Sequence, residues 1–145
     1  MKILLKSATI VDPSSKHHGK KRDILIERGV IAKIAATIKD EMAKVVQLPH
    51  LHVSEGWFDS STSFGEPGYE ERETLDNGLK TAAASGFTGV AVNPNTHPVT
   101  HSKSHVKYLL SKAYDHVVSL YPVGALTLDS DGKELAELYD MHTAG

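Results

Sequence analysis

The chain has 145 residues, 40% of them hydrophobic and 23% charged, the composition expected of an ordinary soluble domain with its own core. A formal net charge of −2 leaves no electrostatic footprint for nucleic acid or an anionic membrane, and no apolar run approaches the ~18 residues of a membrane helix. The absence of cysteine excludes disulfides and thiolate metal sites, and the N-terminus lacks the apolar region of a signal peptide, so the expected setting is cytoplasmic.

The first 55 residues read as strand after strand. Ile3 to Val11 is β-rich and stops at the turn composition Asp12-Pro13-Ser14-Ser15, after which Lys16 to Arg22 forms a basic loop. Asp23 to Glu27 and Val30 to Ile34 flank Arg28-Gly29 and predict a hairpin, with Gly29 supplying the positive φ of a tight connection. Val45 to Leu48 and Leu51 to Val53 add one or two short strands, so residues 1–55 are expected to form a small antiparallel β unit.

From Trp57 the pattern changes to strand then helix. Trp57-Phe58 predicts a brief strand opening into a polar loop that ends in Glu66-Pro67-Gly68. Helices are predicted over Glu70 to Ser85, Lys103 to Tyr114 and Lys133 to Ala144, with strands over Phe87 to Val92 and Val117 to Leu126 between them. Gly78, inside the first of these helices, is a cost that propensity leaves unexplained. Three βα units with nearly continuous apolar strands imply parallel strands covered by helices.

Two stretches carry a specific resemblance. Trp57 to Gly68, with Leu51 to Ser54 ahead of it, resembles the first barrel strand of dihydroorotases and related cyclic amidohydrolases, whose signature runs Pro-Gly-x-x-Asp-x-His-x-His-x-Arg-x-Pro-Gly. Gly56, Asp59, Pro67 and Gly68 match it, with Glu66 at a position that dihydroorotases usually fill with Glu. Asn93-Pro94-Asn95-Thr96-His97-Pro98 is similar to the Met-Pro-Asn-Thr-x-Pro segment after the family's second strand. Pro122 to Thr127 also resembles a family strand end, although a buried strand without a chemical task explains it as well.

The resemblance implies a TIM-type (βα)8 metallohydrolase barrel, of which residues 56–145 would be the first three βα units. Residues 1–55 would be part of a β-sandwich. Such a barrel takes about 250 residues, so a piece of a longer polypeptide is expected. The implied family reaction is the reversible conversion of dihydroorotate and water to N-carbamoyl-aspartate in pyrimidine biosynthesis, with zinc as the family's ion and Asn95 at a substrate-binding position.

The positions that carry this chemistry depart from the pattern. Ser61 and Ser63 stand where the family has two metal-binding histidines, and Gly65 where it has a substrate-gripping arginine. Hydroxyls replace imidazoles poorly at a zinc-type centre, and glycine offers no cation for a carboxylate. The chain as it stands is therefore expected to hold no cofactor, to have no catalytic residue, and to be inactive as a hydrolase. Two other roles remain open. One is structural or regulatory, through aspartate transcarbamoylase as implied partner or through self-association; the other is an amidohydrolase with altered ligands acting on another cyclic amide.

Other polar groups admit ordinary readings beside functional ones. His50 and His52 have ligand spacing but no third partner nearby in sequence, and His101 and His105 fall at i,i+4, which can chelate or simply line an exposed helix face. Glu66, Glu70, Glu71 and Glu73 read as a solvated, dipole-favoured helix start, with paired-carboxylate catalysis as the alternative.

Overall fold

The computed structural model describes residues 1–145, and the chain divides into two compact units, Met1–Glu55 and Gly56–Gly145. The first unit holds five strands, β1 (Lys2–Val11), β2 (Lys21–Glu27), β3 (Val30–Ala35), β4 (Lys44–Val46) and β5 (His52–Ser54). β1 pairs antiparallel with β2, and β2 with β3 across the Arg28-Gly29 turn, where both residues take positive φ (51° and 81°) as a two-residue hairpin loop requires.

The sheet is mixed rather than antiparallel throughout, because β4 and β5 both run parallel to β1, Ile3 to Leu5 pairing with Lys44 to Val46 and Thr9 to Val11 with His52 to Ser54. A register shift between Leu5 and Ala8 lets β1 serve both partners. Asp23 secures that irregularity: its buried carboxylate accepts from the Ser7 and Ile38 backbone N–H groups, each at 2.9 Å, and pairs with the Lys6 ammonium. Leu4, Leu25 and Ile38 form one small core, and Ala8, Ile10 and Ile24 another.

The second unit is built of parallel strands β6 (Trp57–Thr62), β7 (Phe87–Val92) and β8 (Ser119–Pro122), adjacent in chain order, with α1 (Leu75–Ala84), α2 (Lys103–Lys112) and α3 (Leu138–His142) following them in turn. Consecutive parallel neighbours with a helix after each strand are the repeating unit of a TIM-type barrel, here its first three members. Leu75 and Leu79 of α1 and Leu109 of α2 pack with Val90, Val92, Val118, Leu120 and Phe64 into the largest core cluster.

Gly78 has a packing reason. A Cβ there would lie 2.5 Å from the Phe64 ring, so the glycine lets Phe64 seat against α1.

α1 begins at Leu75, five residues later than the composition predicts. The Glu73 carbonyl is taken by the Gly65 and Glu66 N–H groups, at 2.9 and 3.2 Å, and Thr74 is the cap, its hydroxyl accepting from Asn77 N–H at 3.2 Å. Thr74→Ala is expected to destabilise this unit by about 1 kcal/mol. Urea unfolding followed through Trp57, the single tryptophan and a member of this unit, measures it.

The helix predicted over Lys133 to Ala144 shrinks to Leu138–His142. Residues 126–136 instead turn back on themselves, Thr127 bridging to Leu135, with Leu128 N–H donating to the Glu134 carbonyl at 2.9 Å and Ala136 N–H to the Leu126 carbonyl at 3.0 Å. Asp129, Ser130 and Gly132 all take positive φ in that turn. Turn chemistry at Asp-Ser-Asp-Gly outweighs the helix propensity of Lys133 to Ala136. No helix of the chain is long and apolar enough to cross a membrane.

Candidate functional site

Because β6 and β7 are parallel neighbours, their carboxyl ends open side by side, the place where α/β architectures keep their chemistry. The Asn93 N–H donates to the Thr62 carbonyl at 2.8 Å and holds the two strand ends together one residue beyond β7. The Asn93 carboxamide then reaches Ser61 Oγ at 3.2 Å and Ser63 Oγ at 3.3 Å, while Asn95 Nδ2 lies 3.0 Å from Ser63 Oγ.

Ser61, Ser63 and Asn95, singled out in two separate sequence motifs, thus share one cluster. Asn93 was not singled out. Its signal is the i,i+2 spacing to Asn95, which on extended backbone puts two side chains on the same side.

Gly65 lies at a closed point of the loop that follows. Its N–H donates to the Glu73 carbonyl at 2.9 Å and its own carbonyl accepts from Tyr69 N–H at 2.9 Å. A Cβ at this position would stand 1.9 Å from the Tyr69 carbonyl oxygen, so no side chain fits. The neighbouring loop approaches as closely: His97 N–H donates to the Pro67 carbonyl at 2.9 Å, and Gly68, at φ 96°, leaves room for the His97 carbonyl.

The acidic run after the loop corrects the sequence expectation at one residue. Glu70, Glu71 and Glu73 are exposed or half-exposed, but Glu66 is only 7% exposed. Its carboxylate accepts from the Leu75 N–H at 3.0 Å and the Tyr108 hydroxyl at 2.9 Å, with the Lys112 ammonium at 3.2 Å. Burial opposes its ionisation, yet those three donors together hold the carboxyl below its ordinary range. Burial, with the hydrogen bond to Glu66, pushes the Tyr108 phenol up. Glu66 is a structural tie between loop, α1 and α2, not one of a catalytic pair.

The histidine pairs do not form ion sites. His50 takes φ 57°, and the His52 ring nitrogen Nδ1 lies 2.6 Å from the His50 carbonyl in an exposed segment. His101 precedes α2 instead of sharing a helix face with His105; its Nδ1 accepts from Asp129 N–H at 3.2 Å, and the two rings meet edge-on with centroids 4.8 Å apart. Nowhere do three or more His, Cys, Asp or Glu side chains gather in a way that could hold a metal ion.

At the strand ends the donors are neutral hydroxyls and carboxamides, and the Asn93 amide spans the space between the two serines. Those residues do not fit a zinc-type ion, which takes imidazole, thiolate or carboxylate.

Comparison with known proteins agrees with this geometry in fold and family. A family model described as dihydro-orotase-like matches residues 51–145. The dihydroorotase of Syntrophus aciditrophicus is 39% identical over 148 residues and that of Syntrophotalea carbinolica 40% over 149, each alignment covering 100% of this chain and 34% of the relative. Among solved structures, an L-hydantoinase (dihydropyrimidinase) from Arthrobacter aurescens superposes with a TM-score of 0.75 at 22% identity, covering 99% of this chain and 31% of the other. A dihydroorotase structure does so with a TM-score of 0.59 at 14% identity, covering 88% and 32%.

The structural likenesses define the fold, the N-terminal part of a TIM-type α/β barrel. The chain belongs to the dihydroorotase-like family. It spans about a third of the length of the curated relatives it matches.

Proposed function

We propose that this chain is a dihydroorotase-like polypeptide of pyrimidine biosynthesis that does not itself carry out metal-dependent hydrolysis of dihydroorotate, and that its strand-end cluster serves to bind a ligand without chemistry. The observation that supports this reading is the Asn93 bridge between Ser61 and Ser63, at 3.2 and 3.3 Å, in the place where ion-holding side chains would be needed. Hydroxyl and carboxamide groups recognise by hydrogen bonding, and neither activates water at neutral pH as a bound ion does. A cytoplasmic setting goes with this reading, since a chain without cysteine has nothing to gain from an oxidising compartment.

The test is metal analysis after incubation with excess zinc and desalting, run beside an assay of dihydroorotate consumption. The expected result is far less than one zinc per chain and turnover equal to a protein-free control. Zinc bound at one ion per chain and released by Ser61→Ala, or turnover abolished by Ser63→Ala, would overturn the proposal.

A further inference from the structure

Asparagine or aspartate followed by glycine is the sequence in which a polypeptide most readily attacks itself. The amide nitrogen after the residue bonds to its side-chain Cγ and closes a succinimide ring, because glycine has no side chain to crowd that nitrogen. Ammonia leaves from asparagine, or water from aspartate. A water molecule then opens one of the ring carbonyls and leaves either aspartate or isoaspartate, whose main chain is longer by a carbon. Solvent water is the only other reactant. The chain holds two such pairs, Asn77-Gly78 and Asp131-Gly132, and in an unfolded peptide the asparagine pair is the faster. We propose that folding reverses this order, so that Asp131 is the site at which the chain converts to isoaspartate and Asn77 is protected.

The protection of Asn77 comes from α1. The attacking nitrogen would be that of Gly78, whose N–H donates to the Thr74 carbonyl at 3.0 Å in the first helical turn. Gly78 is buried against the Phe64 ring. The Asn77 carboxamide is held as well, its Nδ2 donating to Glu73 Oε1 at 2.8 Å, and the Asn77 N–H donates to the Thr74 hydroxyl at 3.2 Å. Bringing Cγ onto the Gly78 nitrogen would require this turn to open. Leu75 and Leu79, 1% and 0% exposed in the largest core cluster, would have to open with it.

Asp131 has the opposite surroundings. Every residue from Asp129 to Leu135 is exposed, and the Asp131-Gly132 pair lies outside helix and strand, in the turn closed by Thr127 and Leu135. Asp131 Oδ1 accepts from Lys133 N–H at 2.8 Å, an Asx turn that folds the carboxyl back over the peptide groups after it. The Gly132 N–H donates to the Thr127 hydroxyl at 3.0 Å, a side-chain partner that water can replace. No atom beyond its chain neighbours lies within 4 Å of where a Gly132 Cβ would stand, which leaves this peptide room to rotate. Opening an exposed turn costs far less than opening a helix packed on the core. The added carbon would lengthen a turn pinned by Leu128 N–H on the Glu134 carbonyl and Ala136 N–H on the Leu126 carbonyl, directly ahead of α3.

The experiment ages the chain at physiological temperature and pH, folded and in parallel in denaturing urea. Peptide mapping then locates isoaspartate, counted by enzymatic methylation of its free α-carboxyl. In the folded chain the peptide spanning Asp131 is expected to carry several-fold more isoaspartate than the peptide spanning Asn77, and in urea the order should invert. Asp131→Glu, which would need a larger ring, should abolish the signal at the turn and leave the reaction at Asn77 in urea unchanged. Conversion at Asn77 equal to or above that at Asp131 in the folded chain would overturn the proposal. So would the same order in urea as in the folded chain, or no conversion of folded Asp131 after the same residue has reacted in urea.

Discussion

Replacing Gly65 by alanine is expected to destabilise the Gly56–Gly145 unit by about 3 kcal/mol, near the upper end for overpacking. The added methyl would stand 1.9 Å from the Tyr69 carbonyl oxygen and 2.7 Å from its carbon, and 3.1 Å from the Glu73 carbonyl oxygen. These are backbone atoms and cannot swing aside as a side-chain tip can. They are also tied: the Gly65 N–H holds the Glu73 carbonyl, and the Tyr69 N–H holds the Gly65 carbonyl. Relief would require opening the loop from Gly65 to Glu73, which sets where α1 begins. Urea unfolding monitored by Trp57 fluorescence should show a lower midpoint with little change in slope. A midpoint within error of the unmodified chain would mean that the loop does not close on this residue as described.

The second large effect is at Glu66. Glu66→Ala removes the acceptor for the Leu75 N–H and the Tyr108 hydroxyl and leaves the Lys112 ammonium without its partner. About 2 kcal/mol of stability is expected to be lost, mainly because the buried Leu75 N–H would be left without its acceptor, whereas the Tyr108 hydroxyl and the Lys112 ammonium can turn to water. Glu66→Gln keeps the shape and isolates the charge.

Since the folded carboxyl titrates below its ordinary value of 4.5, its contribution is complete above that pH and disappears as the pH falls through the lower folded value. The stability difference between the native chain and Glu66→Gln should therefore be constant near neutrality and shrink on acidification. A difference that grows on acidification would contradict the assigned direction.

Much of the second unit was legible because its signals were local. Phe87–Val92 is a short apolar run and forms a strand with the predicted bounds, and the two motifs at Trp57 to Gly68 and Asn93 to Pro98 fall at the ends of neighbouring strands. What escaped was set by contacts distant in sequence. Asp59 to Thr62 looks like polar loop, yet it continues β6 because β7 supplies a parallel partner. Glu66 looks like one acid among several; only the arrival of Tyr108 and Lys112 from α2 buries and neutralises it. Asn93 reads as a single-residue departure until the serines of the adjacent strand appear beneath its amide. The turn over residues 126–136 differs in kind, since its signal, Asp129-Ser130-Asp131-Gly132, is local and outweighs the helix propensity of Lys133 to Ala136.

In the N-terminal unit, the strand that starts the sequence is the one to which β2, β4 and β5 all attach. Of these strands β1 is made before all its partners and can pair with β2 early, but its last partner, His52–Ser54, is made only near the end of the unit. Pairing of β5 with β1 therefore closes the longest loop among the partnerships of β1. A lesion that weakens β1 would undo three partnerships together, whereas the same lesion in β3 would loosen only one edge.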